Sequence, residues 1–339
     1  MDFAKVRELI DRSNNIVIIV HTRPDGDAIG SGLALKKALE KNGKNVTLIS
    51  PDPIPVFLEW LPGAEEILVF SENKADAKAK LEEADMIFIV DFNTFSRAGT
   101  LLGEILEDYL SQKPVVMIDH HLQPDKRIPY IFSDPSKASS AELVYEFITN
   151  TGLVEQLDPD IATAIYTGIL TDTGSFRFDK TSGRTHRIVA ELIEAGAKNA
   201  DIYSKIFDTY TYDKLQLLGE AIRRMVVIPR CGVSYIILDE DTLRKFNFKQ
   251  GDTEGVVNYG LMLDGVKFTA LFTEKPGEDK IRISFRSKGD FDVNRFARKY
   301  FNGGGHKNAA GGNFEGSMAQ AEKTFLSKVK KHCDEIKNS

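Results

Sequence analysis

The chain has 339 residues, a formal net charge of −6, 42% hydrophobic residues and 28% charged residues. That length fits one large or two medium domains with their own cores, and the balance excludes a disordered chain. No apolar run reaches the ~18–20 residues that cross a bilayer, and the mild acidity disfavours a long nucleic-acid duplex as main partner.

The opening stretch, MDFAKVRELIDRSNN, is amphipathic without an apolar signal core, so a cytoplasmic protein is expected. Apolar runs at 16–20, 46–49, 86–90 and 115–118 alternate with helical stretches at 32–42 and 100–110. Continuous β-branched runs mark strands buried on both faces, and strands interleaved with helices mean βαβ units. The expected class is α/β, a doubly wound, mainly parallel sheet. Helices are expected at 140–150, 160–170, 185–195 and 212–225, then strands at 226–238, 266–272 and 280–287. A glycine cluster at 303–312 and a closing helix over 318–336 complete a smaller α+β domain. The expected division is a catalytic domain at 1–205, a helical linker at 206–225 and a second domain at 226–339. Cys231 and Cys333 show no CxxC spacing, which argues against a disulfide framework and a thiolate zinc site.

Three buried runs end in residue types that ligate metals. The first runs into His21, Asp25 and Asp27, the third into Asp91, and the fourth into Asp119, His120 and His121. A further acid, Asp172, follows the apolar segment 162–170. Any one of these alone reads as a helix N-cap or a turn. Together they place several carboxylates beyond the carboxyl ends of neighbouring strands, where ligands bind in open α/β sheets. Carboxylates gathered there repel one another and need compensation, and few basic residues lie near them in sequence. Mixed carboxylate and imidazole donors suit Mn²⁺ better than Ca²⁺, and there are enough for two ions.

In order and spacing, the segment from His21 through Asp25 and Asp27 to Gly30, then Asp91, Asp119-His120-His121 and Asp172-Thr173-Gly174, resembles the four motifs of the DHH phosphoesterases. That superfamily includes RecJ exonucleases, cyclic-dinucleotide phosphodiesterases and the NrnA type, which acts as nano-RNase and 3′-phosphoadenosine 5′-phosphate (pAp) phosphatase. Phe92 departs from the smaller residue that many members carry after the acid, and leaves the ligand in place. The resemblance implies His21, Asp25 and Asp91 on a first metal, and Asp27, Asp91, His120 and Asp172 on a second, with Asp91 shared. It implies that Asp119 and His121 orient ligands or contact the scissile phosphate, with His121 alternatively a proton donor to the leaving group. Gly30 and Gly32 are expected to let the following helix approach the sheet closely.

The cluster Gly303-Gly304-Gly305-His306-Lys307 reads either as a backbone cradle for an anion or as a tight turn. With Arg286 and Ser287 upstream it resembles the DHH-associated C-terminal domain of the first type. There Arg286, Ser287, Gly304, Gly305 and His306 would grip the far end of the substrate across a cleft, Arg286 as a phosphate fork. Arg97 is a second phosphate candidate. His186 and His332 are assigned to structure or surface, and Phe176, Phe178, Tyr210 and Tyr212 mostly to the core, with one ring able to stack on a base.

The resulting expectation is a manganese-dependent phosphoesterase with two ions, Mg²⁺ or Co²⁺ serving as substitutes. Its substrates would be di- to pentanucleotide RNA, the linear dinucleotides pGpG and pApA, and pAp. Long duplexes and membranes are not expected as partners, and a homodimer is left open. Alternatives are a RecJ-like single-strand exonuclease, an inorganic pyro- or polyphosphatase, and a non-catalytic nucleotide-binding regulator.

Overall fold

The computed structural model describes residues 2–274, 277 and 280–339, which fall into two compact units, Met1–Thr209 and Tyr210–Ser339. In the first, chain order runs α1 (Phe3–Arg12), β1 (Asn15–Ile19), α2 (Gly26–Glu40), β2 (Asn45–Ser50), β3 (Leu68–Val69), α3 (Lys74–Glu83) and β4 (Met86–Val90). It continues with α4 (Thr100–Tyr109), β5 (Val115–Asp119), β6 (Tyr130–Ser133), α5 (Ser140–Thr151), α6 (Pro159–Asp172), α7 (Gly183–Glu194) and α8 (Asn199–Phe207).

All six strands are parallel, in the order β3-β2-β1-β4-β5-β6. The order reverses between β1 and β4, which makes that edge the crevice where doubly wound sheets bind ligands. Every residue of β4 and β5 is buried, as their unbroken apolar runs require. One face of the sheet packs on α2, α5 and α6 through residues such as Ile18, Phe88, Phe147 and Ile165. The other packs through Ile19, Ile89, Met117, Leu81 and Leu102 on α3 and α4.

Helix α2 starts at Gly26, earlier than expected, because Asp25 caps it: the carboxylate accepts from the N–H groups of Asp27 and Ala28. Gly32 does face the sheet, since a Cβ there would lie 2.9 Å from Leu48 Cδ1. Gly30 instead faces α6, where a Cβ would lie 2.4 Å from the Ala164 carbonyl oxygen. The expected helix-to-sheet role is thus corrected for Gly30 to a helix-to-helix approach.

The second unit contains α9 (Tyr212–Arg223), β7 (Val226–Ile228), β8 (Val233–Leu238), α10 (Glu240–Lys245), α11 (Asn258–Leu261), β9 (Phe268–Glu274) and β10 (Ile281–Ser287). After these come α12 (Val293–Tyr300), β11 (Gly304–Gly305), β12 (Ala309–Phe314), α13 (Met318–Lys331) and α14 (Cys333–Lys337). Its mixed sheet has the order β11-β12-β10-β9-β8-β7, with β8 and β9 the parallel pair. The single strand expected at 226–238 is two antiparallel strands, because Gly232 turns the chain at φ +65°. Helix α9 buries Leu217 and Ala221 against Ile236, Leu238 and Leu271 of this unit. A phenylalanine-rich core that includes Phe268, Phe285, Phe296 and Phe325 lies between sheet and helices.

Against the sequence expectation, Cys231 and Cys333 form a disulfide across 102 positions. No local spacing announces it, because only the folded sheet brings the turn before β8 to the start of α14. Among the described residues, no helix is long and apolar enough to cross a membrane.

Candidate metal centre

The metal-ligand residue types converge at the crevice between β1 and β4. His21 and Asp25 follow β1, Asp27 lies in the first turn of α2, and Asp91 follows β4. Asp119 ends β5, His120 and His121 come next, and Asp172 ends α6. Three overlapping sets have donor atoms within 4.8 Å of one another: His21, Asp25 and Asp91; Asp27, His120 and Asp172; and Asp91, His120 and His121.

His21 Nε2 lies 3.2 Å from Asp91 Oδ2 and 3.9 Å from Asp25 Oδ1. His120 Nε2 lies 3.4 Å from Asp172, 3.7 Å from Asp91 and 3.9 Å from Asp27. Asp91 sits at φ +65°, a left-handed conformation that a non-glycine residue holds only where its surroundings enforce it. Glycines let the helices close on this point: a Cβ on Gly168 of α6 would lie 2.5 Å from Ala141 Cβ and 3.0 Å from Asp27 Oδ1.

The electrostatics are those of crowded acids. Burial, then the charges of Asp91, Asp172 and Asp25, push Asp27 well above the usual carboxylate range. Asp172 is pushed up to about 8 by burial and by Asp91 and Asp25, and Asp25 is raised by burial and Asp91. Asp91 runs the other way. Burial alone would raise it, but the His21 imidazole, helped by His120 and His121, holds it down at about 2. Burial lowers His120, whereas for His21 the lowering effect of burial is outweighed by Asp91 and Asp25.

The donors fit divalent cations. His21 Nδ1 lies 2.8 Å from the Thr22 carbonyl oxygen, which can only accept, so that nitrogen carries a proton and Nε2 is the one that can give a lone pair to a cation in place of its proton. That Nε2 is buried with no well-aligned hydrogen bond although Asp91 Oδ2 lies 3.2 Å away, and a lone pair facing a carboxylate is costly unless a cation takes both. His120 is oriented in the same sense, with Nδ1 3.4 Å from the Lys137 carbonyl oxygen. Lys137 is itself held by Glu142 and Glu146, and Glu142 accepts from the Thr185 hydroxyl.

Asp119 and His121 form a dyad that joins the cluster through His121, whose Nδ1 lies 3.7 Å from Asp91 Oδ1. The fully buried carboxylate accepts from His121 Nδ1 at 2.7 Å and from its backbone N–H at 3.1 Å. The sequence reading missed Ser140, whose hydroxyl donates to Asp91 Oδ1 at 2.8 Å. A serine opening a helix carries no sequence signal of such a contact.

Arg97 is half-buried in a short turn of helix at Phe95–Ala98, and its carbonyl accepts from Thr22 N–H. In the second unit, Arg286 on β10 pairs with Ala309 on β12, beside the hairpin formed by Gly304, Gly305 and His306. Burial lowers the Arg286 guanidinium, which donates to the Phe285 carbonyl at 3.0 Å. The Ser287 hydroxyl donates to the Phe291 carbonyl and accepts from Asn308, so it holds the turn together. The glycine cluster is therefore ordered strand and hairpin. A Cβ on Gly303 would lie 2.0 Å from the Gly311 carbonyl oxygen. Phe178, Tyr210 and Tyr212, expected mostly in the core, are exposed, since they flank turns and a helix start, while Phe176 packs against Tyr166.

Residues 15–169 match the DHH family, N-terminal domain, and residues 231–335 match the DHHA1 domain. The bifunctional oligoribonuclease and PAP phosphatase NrnA of Thermus thermophilus is 32% identical over 93% of this chain and 89% of its own length. The Bacillus subtilis protein of the same name is 29% identical over 88% of each chain. The crystal structure of an exopolyphosphatase-related protein from Bacteroides fragilis superposes with a TM-score of 0.93, at 36% identity over 99% of this chain and 97% of that one. With both domain matches in chain order, a relative 32% identical over most of its length, and acids and histidines gathered at one sheet edge, the chain belongs to the DHH family.

Proposed function

We propose that the chain is a two-cation phosphoesterase that hydrolyses RNA of two to five residues, the linear dinucleotides pGpG and pApA, and pAp to AMP. The observation that carries this reading is the sharing of Asp91 and His120 among overlapping donor sets, with His21 Nε2 buried beside them without a well-aligned hydrogen bond. The names of the Thermus and Bacillus relatives support the substrate class.

His21, Asp25 and Asp91 would hold one ion, and Asp27, Asp91, His120 and Asp172 the other. Mn²⁺ suits this mixed donor set, with Mg²⁺ or Co²⁺ as substitutes. When bound, such ions act as Lewis acids on the phosphoryl group and make a water more acidic. Asp119 fixes the His121 ring through Nδ1–H, which leaves Nε2 as the nitrogen that can deliver a proton to the leaving oxygen. Arg97, Arg286 and His306 would contact phosphates or bases, and Gly304 and Gly305 would keep that hairpin low enough for substrate to reach.

The test is product analysis on 5′-labelled RNAs of two to roughly 24 residues, beside pAp, pyrophosphate and polyphosphate, with Mn²⁺. Mononucleotide release from the shortest RNAs should exceed that from the longest by ~10-fold or more, because each lost contact of ~1.4 kcal/mol costs a decade. Equal rates at all lengths would favour a RecJ-like exonuclease. The polyphosphatase reading, favoured by likeness to the exopolyphosphatase-related Bacteroides protein, requires polyphosphate turnover without dinucleotide turnover.

A further inference from the structure

Helix α5 begins beneath the metal centre, and its first turn is connected unusually. Ser139 is the N-cap, its hydroxyl accepting from the Glu142 N–H at 3.1 Å. The Ser140 hydroxyl is therefore not needed to cap the helix. The N–H groups of Ser140 and Ala141, like all first-turn donors, have no acceptor within their helix. Both end on one carboxylate: Ser140 N–H meets Asp27 Oδ2 at 2.7 Å, and Ala141 N–H meets Asp27 Oδ1 at 2.8 Å. The Ser140 hydroxyl then reaches Asp91 Oδ1 at 2.8 Å.

One residue thus ties together acids from two strand ends, Asp27 after β1 and Asp91 after β4. Ser140 is fully buried, Asp27 is 1% exposed and Asp91 2%, so water competes for none of these bonds. Asp91 has one oxygen on Ser140 and the other directed at His21 Nε2. Its side chain is fixed in direction even though its backbone is in the left-handed region.

We propose that Ser140 is a positioning residue: it sets the shared Asp91 carboxylate by its hydroxyl and the Asp27 carboxylate by its N–H, so that the acids are arranged before cations arrive. The inference rests on the two-cation reading and goes beyond it to a residue outside the ligand set. Partners of this kind, one bond removed from a metal, are worth about 10–100-fold in metal affinity.

The experiment is calorimetric titration of Mn²⁺ into metal-free wild type, Ser140→Ala, Ser140→Cys and Ser139→Ala, with kcat and KM on a dinucleotide. Ser140→Ala should bind Mn²⁺ about 10–100-fold more weakly and lose kcat with KM little changed, since substrate contacts are untouched. Ser139→Ala removes only the helix cap, so it should lower stability and leave Mn²⁺ affinity unchanged. Ser140→Cys keeps the volume with a weaker donor and should fall between, which reads the same bond if Ser140→Ala fails to accumulate. Wild-type Mn²⁺ affinity in Ser140→Ala or in Ser140→Cys, or an equal loss in Ser139→Ala, overturns the inference and leaves the two-cation reading intact. Absence of Mn²⁺ binding in the wild type overturns that reading itself.

Discussion

In the first unit, acids supplied by separate chain segments meet at one sheet edge, Asp27 and Asp91 buried and Asp25 open to solvent; in the second, the expected substrate contacts lie along neighbouring strands and a hairpin. The two arrangements differ in how much charge they leave uncompensated. Asp25, Asp27 and Asp172 are all raised, first by burial and then because each sits in the field of another acid. Around its hairpin the second unit pairs most of its described polar groups: Lys307 with Asp290 at 2.8 Å, Ser287 with Phe291 and Asn308, and His306 N–H with the Ala309 carbonyl, while the desolvated Arg286 donates to the Phe285 carbonyl. Strands that run side by side complete one another's polar groups through the ladder. Side chains converging from several segments have no such default, and the excess is left for a ligand to neutralise.

The sharpest way to break this contrast is Asp91→Ala, which removes the carboxylate common to two donor sets. Turnover should fall by at least ~10³, within the several kcal/mol that bound cations contribute, and metal analysis should show fewer ions per chain. Full activity would remove Asp91 from the centre. Next in size is Arg286→Ala in the second unit. It should raise KM for a dinucleotide by about 10–150-fold, the equivalent of ~1.5–3 kcal/mol for a charge-assisted bond, at unchanged Mn²⁺ content. The same variant should narrow the preference for short RNA, and a loss of bound metal from it would erase the distinction between the two regions.

Two glycines sharpen the contrast in packing. Gly30→Ala places a Cβ 2.4 Å from the Ala164 carbonyl and should cost about 1–3 kcal/mol in denaturant unfolding. Gly311→Ala, whose nearest neighbour would be at an ordinary 3.8 Å, should change stability far less. Equal losses would mean that close helix approach is not what Gly30 provides.

The smallest expected effect is on pH dependence in the metal-free protein. A carboxylate raised on folding keeps its proton when the unfolded chain has released it. The stability it contributes is therefore present at low pH and lost as pH climbs through the folded value, which for Asp172 is about 8. Melting temperature without metal should drop between about pH 5 and about pH 8, and saturating Mn²⁺ should flatten that slope. A metal-free protein that gains stability over this range would show that the acids are neutralised by groups of the chain itself.

Much of this architecture is legible in the amino-acid order, for definite reasons. The runs ending at Ile19, Val90 and Asp119 are continuous because both faces of a parallel sheet are covered, and their polar termini fall at its carboxyl edge. The start of α2 is obscured because Asp25-Gly26 signals a turn as strongly as a cap. The break at His332 is hidden because helical periodicity runs through it, while the side chain bonds Tyr300 and Glu335. The hairpin of β11 and β12 is obscured for the opposite reason: glycines chosen for close backbone approach have no side-chain pattern to read. Ser140 belongs with these, since its importance lies in two acids more than forty positions away in the chain.

The Cys231–Cys333 bond has a topological consequence. It joins points 102 positions apart and so closes β8 through α13 into a covalent ring. A ring of that size removes on the order of 4–5 kcal/mol of chain entropy from the opened form. A single cut of the backbone anywhere inside it leaves one molecule of unchanged mass apart from the added water, and its two pieces part only when thiol is supplied. The oxidised second unit thus tolerates a nick that would divide its reduced counterpart.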